Sequence, residues 1–541
     1  MKDISSTGSF VDFTLENFIY VDKTVYIPQL VKLKRVFISR PRRFGKSLTL
    51  DTIATLFETG VEPYFKGTWI YDKWTEPTYP VLRLNFLNFD KNTLEKFNNK
   101  LNSKITEFAE LNQVTTYKEK DEAEDSIDHL LEQLRLEGRQ IVILIDEYDC
   151  QMTANINNET LYKQFQEKIK SFYANIKDKF AIKFLGITGV TRLKDVSIFS
   201  VGSDINDITN ASAYSQIIGF TRDEIKKYYI DYLKLASSYE NNCSVDDVTD
   251  TQLESMLDMM AQNYDGYCFD EDYEKKVFST WSVNKFFQTM IEKKKVQFGE
   301  YWYDNGGLPS ILVNYLKTHE LNIFEYLDKD KFLKVSSDDF KNPTALTTIN
   351  QNVLMCQTGY LTLRSDLNKT STVALGIPNG EIYKALNRLL ANNIFKGNTD
   401  ITDDYGRSLL EVGTVDDIIN LFNSALNSVS YDNYPIVSES SVQNMLKLYL
   451  LGAHQEVLSE VHEAKGRADL VVNTDNRRIV FEFKYAKNEA EAKSKLSEAV
   501  EQIKTRDYGN ILPKKNELIR IAAVFNADPK VRAFTENQIV P

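Results

Sequence analysis

The chain of 541 residues is poor in cysteine and histidine, with four of each, and both scarcities exclude chemistry. Cys150, Cys243, Cys268 and Cys356 lie far apart with no CxxC pair, so neither a disulfide framework nor a zinc site is expected. His454 and His462 are the only close histidine pair, which argues against histidine-based metal or nucleophile chemistry. No apolar run approaches the roughly 20 residues that span a bilayer. The opening Met1-Lys-Asp-Ile-Ser-Ser-Thr-Gly8 lacks a charged-then-apolar leader. A soluble, reduced, cytoplasmic protein with no membrane partner is expected. The net charge of −12 argues against wholesale coating of nucleic acid. What is abundant is core-forming material: 42% hydrophobic and 12% aromatic residues describe a globular chain. Its length exceeds one core and suggests about two to four domains.

Chemistry is concentrated near the C-terminus. Gly466-Arg-Ala-Asp469-Leu-Val-Val472 and Ile479-Val-Phe-Glu482-Phe-Lys484-Tyr485 read as two strands joined by the polar turn Asn473-Thr-Asp-Asn476. Alternation along the second strand sends Glu482 and Lys484 to one face and Phe481, Phe483 and Tyr485 to the other. Two carboxylates and an ammonium would then meet at the rim of a small sheet. The carboxylates suit a hard divalent cation, and the lysine suits charge stabilisation or assistance to an attacking water. From Ala464 to Pro541 fifteen Lys/Arg face eleven Asp/Glu, so an acidic protein has a mildly basic tail, in keeping with a polyanionic substrate.

A second constellation lies near the N-terminus. Arg35-Val-Phe-Ile-Ser-Arg40 reads as a buried strand, followed by Pro41-Arg-Arg-Phe-Gly45-Lys46-Ser47 and a helical run from Leu48. Strand, loop, Gly-Lys-Ser and helix form the phosphate-loop context. Backbone N–H groups of Arg43, Phe44, Gly45, Lys46, Ser47 and Leu48 would cradle phosphates, Lys46 would reach the β/γ oxygens, and Ser47 would hold magnesium. Arg40 stands where the pattern usually has its first glycine. The partner motif is the apolar run Ile141-Val-Ile-Leu-Ile-Asp146-Glu147, expected as a buried parallel strand. Asp146 would hold magnesium, and Glu147 would polarise the attacking water. A third strand, Lys183-Phe-Leu-Gly-Ile-Thr188, brings Thr188 or Thr191 as a γ-phosphate sensor. Arg192 would reach a phosphate in cis or across subunits, the latter requiring a homo-oligomer. Tyr79-Pro-Val-Leu-Arg-Leu-Asn-Phe86 is read as the strand inserted between the two Walker strands.

With these motifs in hand the chain resembles bacterial and mobile-element AAA-ATPase-like proteins. The resemblance rests on Tyr20-Val-Asp-Lys-Thr24, Arg40-Pro-Arg-Arg-Phe-Gly-Lys-Ser47, Leu144-Ile-Asp-Glu-Tyr-Asp149 and Gly186-Ile-Thr-Gly-Val-Thr-Arg192. Asn263-Tyr-Asp-Gly-Tyr267, Gln357-Thr-Gly-Tyr-Leu361 and Ile377-Pro-Asn-Gly-Glu381 extend it over most of the chain. It makes Arg40 a family feature. Such proteins commonly carry a PD-(D/E)XK nuclease-superfamily domain at the C-terminus, where this chain has Asp469…Glu482-x-Lys484. The resemblance implies that Asp469, Glu482 and the Phe483 carbonyl bind Mg2+ and that Lys484 positions or activates water. It also brings in Glu439 as a further acid, Gln502 to orient Lys484 or the scissile phosphate, and Tyr508 to contact backbone phosphate.

The expected architecture is α/β: a P-loop NTPase parallel sheet over residues 1–215, a helical lid or adaptor over 216–430, and a restriction-endonuclease-like αβββαβ domain over 431–541. Thr221-Arg-Asp-Glu224 is a capping box opening a helix in the middle region. Trp281 and Trp302 are expected in the core there. The function implied is an ATP-hydrolysing P-loop ATPase coupled to a Mg2+-dependent nuclease acting on nucleic acid, DNA rather than RNA. The alternative is a nucleotide-dependent switch whose nuclease-like domain binds nucleic acid or a partner without cleaving.

Overall fold

The run Ile141–Asp146 is buried at every position, which only a strand covered on both faces allows. In the computed structural model it is an interior strand of a five-stranded parallel sheet. The structure describes all residues except 178, 194–204, 305–309, 317–318, 320–322, 344, 396–405, 454–455, 464–465 and 511–513. His454 therefore lies outside the described residues. The strands are β1 (Arg35–Ser39), β2 (Val81–Asn85), β3 (Ile141–Asp146), β4 (Ile182–Gly189) and β5 (Asn206–Asp207), in the order β2-β3-β4-β1-β5. One expectation is corrected here. The strand from the 79–86 segment forms as β2, but it lies at the sheet edge; the strand between the two Walker strands in space is β4. β4 pairs with β1 on one side and β3 on the other because both of its faces are apolar enough for the sheet interior.

The chain divides into two compact units: Met1–His319 with Phe332–Ile382, and Glu320–Lys331 with Tyr383–Pro541. The first holds the parallel sheet and a helical cluster. The capping box at Thr221 forms as expected and starts the helix Arg222–Tyr228. With Ile230–Asn241, Asp250–Tyr264 and Thr280–Lys293, this helix surrounds a core of Ile225, Tyr229, Leu233, Met256, Leu257, Met260, Phe286 and Phe287. Each large apolar side chain fully buried there contributes about 1.5–3 kcal/mol. Trp302 is buried as expected, whereas Trp281 is half-buried. A small antiparallel sheet completes the unit, with β6 (Leu333–Ser336), β7 (Thr362–Leu363) and β8 (Thr372–Gly376) in the order β6-β8-β7.

The second unit is built on β9 (Glu456–Glu463), β10 (Gly466–Asn473), β11 (Arg477–Ala486), β12 (Glu517–Asn526) and β13 (Ala533–Ile539), ordered β13-β12-β11-β10-β9. β9, β10 and β11 form an antiparallel meander, β12 runs parallel to β11, and the helix Glu489–Arg506 supplies the crossover. The expected αβββαβ order is present, with one addition: β13 pairs antiparallel with β12. Its polar sequence, Ala-Phe-Thr-Glu-Asn-Gln-Ile, hid it, and its burial is accordingly slight. Phe481 and Phe483 stack on one face of β11 with Phe422 and Phe534, leaving Glu482 and Lys484 to the other. Among the described residues no helix is long and apolar enough to cross a membrane.

Candidate nucleotide site and candidate metal site

β1 delivers the chain to a loop that ends at Gly45, where φ is +103° and the helix Lys46–Thr59 begins. A Cβ at Gly45 would meet no atom within 4 Å, so glycine is needed there for conformation and not for space. Lys46 turns back and donates to the carbonyls of Arg40 (3.1 Å) and Pro41 (3.2 Å), with the Glu147 carboxylate 3.6 Å away. The Ser47 hydroxyl donates to Asp146 Oδ2 at 2.6 Å, and Thr188 donates to Oδ1 at 2.5 Å. Lys46, Ser47, Asp146, Glu147 and Thr188 thus meet where β1, β3 and β4 end.

Glu147 has φ +52°, a left-handed backbone that is uncommon for any residue with a side chain. Burial raises its carboxyl above the usual range; Lys46 and Arg42 oppose that, while Asp149 and Asp146 add to it. Thr191 takes the structural alternative. Its N–H and hydroxyl both donate to Asp149 Oδ2, at 2.7 and 2.6 Å, so it closes the β3–β4 junction. Arg192 forms an ion pair with Asp207 on β5 and exchanges backbone hydrogen bonds with the Gln357 amide, which places it outside the cavity described below. Arg40 is buried and donates to the carbonyls of Ser39 and Thr209, with its guanidinium 4.1 Å above the Phe269 ring. That explains an arginine where a glycine is usual: it ties the loop to the β5 side of the sheet.

The later motifs converge on the same loop. Phe44 inserts edge-on among Tyr267, Phe269 and Trp302. A Cβ at Gly359 would lie 2.9 Å from Pro41, and one at Gly266 would lie 2.3 Å from the Pro378 carbonyl. Glu381 accepts from the Trp302 N–H and the Ser282 hydroxyl, and burial pushes its carboxyl up to about 8. A cavity of about 350 Å³ opens beside the loop. Its phosphate-loop wall is Arg42 to Thr49; its far wall is Ser5–Gly8, Tyr20, Ile217–Phe220, Trp281 and Asn284. Sequence reasoning missed this second wall. Asn284, which donates to the Ser5 carbonyl and accepts from Tyr229, carries no motif signal.

In the second unit Asp469 and Glu482 lie one step beyond the Leu470–Phe481 pair of the β10–β11 ladder. Both are in mid-strand, and Glu482 is fully buried, so the cluster is an interior notch and not a rim feature as expected. Asp469 Oδ2 accepts from the Phe483 N–H at 2.9 Å. Lys484 donates to Glu482 Oε1 (2.9 Å), the Phe483 carbonyl (3.1 Å) and Glu439 Oε1 (3.3 Å). The helix Glu439–Gly452 supplies Glu439 and also Gln443, whose amide donates to the Asp469 carbonyl. Glu482 Oε2 is buried and has no hydrogen-bond partner among the described residues. Burial, then the Asp469 charge, push its carboxyl up to about 7 against the pull of Lys484. Burial also raises Asp469. Burial works against the Lys484 ammonium, yet Glu482, Glu439 and Asp469 outweigh it and hold it above its usual value.

Two expected members sit differently. Tyr508 is fully buried, and its hydroxyl is held by Gln502 (3.4 Å) and Arg506 (2.8 Å), so it faces no solvent. Gln502 is directed to Tyr508 and not to Lys484. Arg506, which sequence reasoning passed over, is half-buried and within electrostatic reach of Glu482 and Asp469. Among the described residues no group of three His, Cys, Asp or Glu side chains forms a metal cage. A cation at either site would draw its remaining ligands from hydroxyl, carbonyl, water or phosphate oxygens, the donor set typical of magnesium.

Comparison with known proteins finds two family matches. Residues 5–199 match a family described as predicted AAA-ATPase, and residues 437–535 match the PD-(D/E)XK nuclease superfamily. An uncharacterized protein in the vnfD 5' region of Azotobacter chroococcum mcd 1 is 26% identical over 535 residues, covering 95% of this chain and 94% of that one. Among solved structures, a Walker-type ATPase of Pyrococcus abyssi (11% identity, TM-score 0.36) covers 69% of this chain and 96% of its own. Cdc6p from Pyrobaculum aerophilum (11% identity, TM-score 0.27) covers 69% and 96%. This chain thus joins an AAA-ATPase-like domain, at residues 5–199, to a PD-(D/E)XK nuclease-superfamily domain, at residues 437–535, in one polypeptide.

Proposed function

We propose that the protein binds and hydrolyses ATP in the first unit, and that the nucleotide state controls a Mg2+-dependent phosphodiesterase in the second, acting on DNA. One observation in each unit supports the reading. In the first, Asp146 accepts from Ser47 and Thr188 while Lys46 stands beside Glu147. In the second, a buried glutamate shares one oxygen with Lys484 and keeps the other unpartnered. A buried carboxylate oxygen without a donor costs about 1–3 kcal/mol or more, and a cation is the partner that removes the cost.

The residues fit the roles. Ser47 and Asp146 would hold Mg2+ at the phosphates, with the loop N–H groups from Arg43 to Leu48 and Lys46 on the phosphate oxygens and Thr188 beside them. Glu147 would take the proton of the attacking water. Asp469, Glu482 and the Phe483 carbonyl would hold Mg2+ in the second unit, and Lys484 would orient water at the scissile phosphorus. Glu439 helps fix the ammonium of Lys484. Bound Mg2+ supplies charge neutralisation and a more acidic water at each phosphate. Tyr508 and Gln502 would act indirectly, by holding Arg506 toward the substrate backbone. The mildly basic tail favours a polynucleotide.

The test is phosphate release and plasmid or RNA nicking by the purified chain with Mg2+. Lys46→Ala is expected to lower ATP turnover at least about 100-fold, the scale of one lost transition-state donor. Lys484→Ala is expected to abolish cleavage and leave ATP turnover within about twofold of wild type, as for a site with no shared partners. Cleavage by Lys484→Ala at the wild-type rate would refute the metal-site assignment. A wild type that hydrolyses ATP yet nicks neither DNA nor RNA would leave a nucleotide-driven switch.

A further inference from the structure

Hydrolysis of a triphosphate is accelerated by a further cation at the terminal phosphate, beyond the phosphate-loop lysine and Mg2+, because negative charge builds on the transferring group and the leaving oxygen. The expected source, Arg192, is engaged by Asp207. Four cations line the cavity among the described residues: Lys23, Arg42, Arg43 and Lys46. Lys23 donates to the Gln216 carbonyl and Glu224, both at 2.7 Å. Arg43 donates to the Tyr301 carbonyl at 2.9 Å and lies over the Trp281 ring. Lys46 is the loop lysine already assigned.

Arg42 remains. No hydrogen bond or ion pair engages its guanidinium among the described residues, yet it shares a wall with Lys46, Ser47 and Glu147, and its charge is felt at Glu147. Its neighbours are fixed on both sides. Pro41 packs against Gly359, and the Arg43 carbonyl accepts from the Thr280 hydroxyl (2.9 Å) and the Trp281 N–H (3.4 Å). The loop therefore presents, among the described residues, an uncommitted guanidinium from a backbone already anchored, so that only the side chain has to move to meet a phosphate.

Resting on the ATPase reading above, we infer that Arg42 is a catalytic residue that contacts the γ-phosphate from within the same chain, making this phosphate loop supply its own arginine. In the step it serves, the water oxygen bonds to the γ-phosphorus as the bond to the β–γ bridging oxygen breaks. The bridging oxygen of ADP keeps the electron pair, and the water proton passes to Glu147 and then to solvent. Arg42 meets the charge gathering on the γ-oxygens and the bridging oxygen. Two N–H groups in a fixed fork suit that task, and a lysine substitute would keep the charge without the fork.

The experiment compares wild type, Arg42→Ala, Arg42→Lys and Lys46→Ala for ATP turnover, fluorescent-nucleotide affinity and melting temperature. Arg42→Ala is expected to lose about 1,000-fold or more in kcat, the range for a supplied arginine, while its nucleotide affinity changes less than about fivefold. Arg42→Lys should melt like wild type and recover only part of the rate. Wild-type specific activity should not vary with protein concentration, and ADP with aluminium fluoride should be retained by wild type but not by Arg42→Ala. Normal turnover by Arg42→Ala beside an inactive Lys46→Ala would overturn the Arg42 role alone. Activity rising steeply with protein concentration would point to an arginine from another chain and overturn it too. A wild type without turnover would overturn both this role and the ATPase reading.

Discussion

The two candidate sites assemble their residues in opposite ways. In the parallel sheet the contacts span long stretches of chain: Ser47 to Asp146 is a separation of 99 residues and Asp146 to Thr188 one of 42. In the second unit the Asp469–Phe483 contact closes over 14, although Lys484 also reaches Glu439 across 45. Parallel strands require crossovers, so their C-terminal ends gather residues from distant motifs, whereas a hairpin gathers them locally. The charges are opposed as well. Among the described residues, four cations line the first cavity, while three carboxylates surround a single lysine in the second. The first suits a polyanion and the second a cation. One chain presents both halves of the charge pairing that phosphate chemistry with magnesium requires.

The contrast is broken most directly by asking which site each ligand protects. ATP with Mg2+ at about 100 times its dissociation constant should stabilise the wild type by about 2.7 kcal/mol. Hydrogen exchange should then slow most along Lys46–Thr59, where the nucleotide is held. Protection of β11 without protection of Lys46–Thr59 would erase the charge contrast.

A smaller effect tests the strand junction. Asp149 accepts from Thr191 twice and from the Val190 N–H, and a Cβ at Gly189 would lie 2.4 Å from the Tyr148 ring. Asp149→Asn should cost about 1–3 kcal/mol in chemical denaturation, the range for impaired hydrogen bonds at a buried group, and leave Glu482 and Lys484 untouched. A neutral substitution would return Thr191 to the list of phosphate sensors.

A pH-dependent effect concerns Glu381. Burial raises its folded-state carboxyl from 4.5 to about 8, so the folded chain holds a proton that the unfolded chain has lost. The sign is destabilising with rising pH: the loss begins near the unfolded value and saturates once pH passes about 8. Glu381→Gln reproduces the protonated acid, accepting from Trp302 and donating to Ser282. It should stay within about 1 kcal/mol of wild type at pH 5 and melt higher at pH 8. Equal pH dependence of both proteins would remove Glu381 as the source.

Strong local signals were the legible part. The Arg40–Ser47 loop, the apolar run into Asp146-Glu147, the Thr221 capping box and the alternation around Glu482 and Lys484 all follow from periods of two or 3.6 and from fixed spacing. β13 was not legible, because its edge position tolerates a polar composition. Tyr508 was misjudged for a related reason. Nothing in Arg506-Asp-Tyr508 says that the tyrosine turns inward and leaves the arginine outside.

By itself, then, the amino-acid order determined which residue types can handle phosphate and metal, since those signals are written within a few residues of one another. Tertiary structure decided which of them work together. β4 came to lie between β1 and β3, which set Thr188 and not Thr191 beside Asp146; β5 brought Asp207 to Arg192. Such choices depend on competition between partners distant in sequence, and a charge is settled by whichever partner the folded sheet brings nearest.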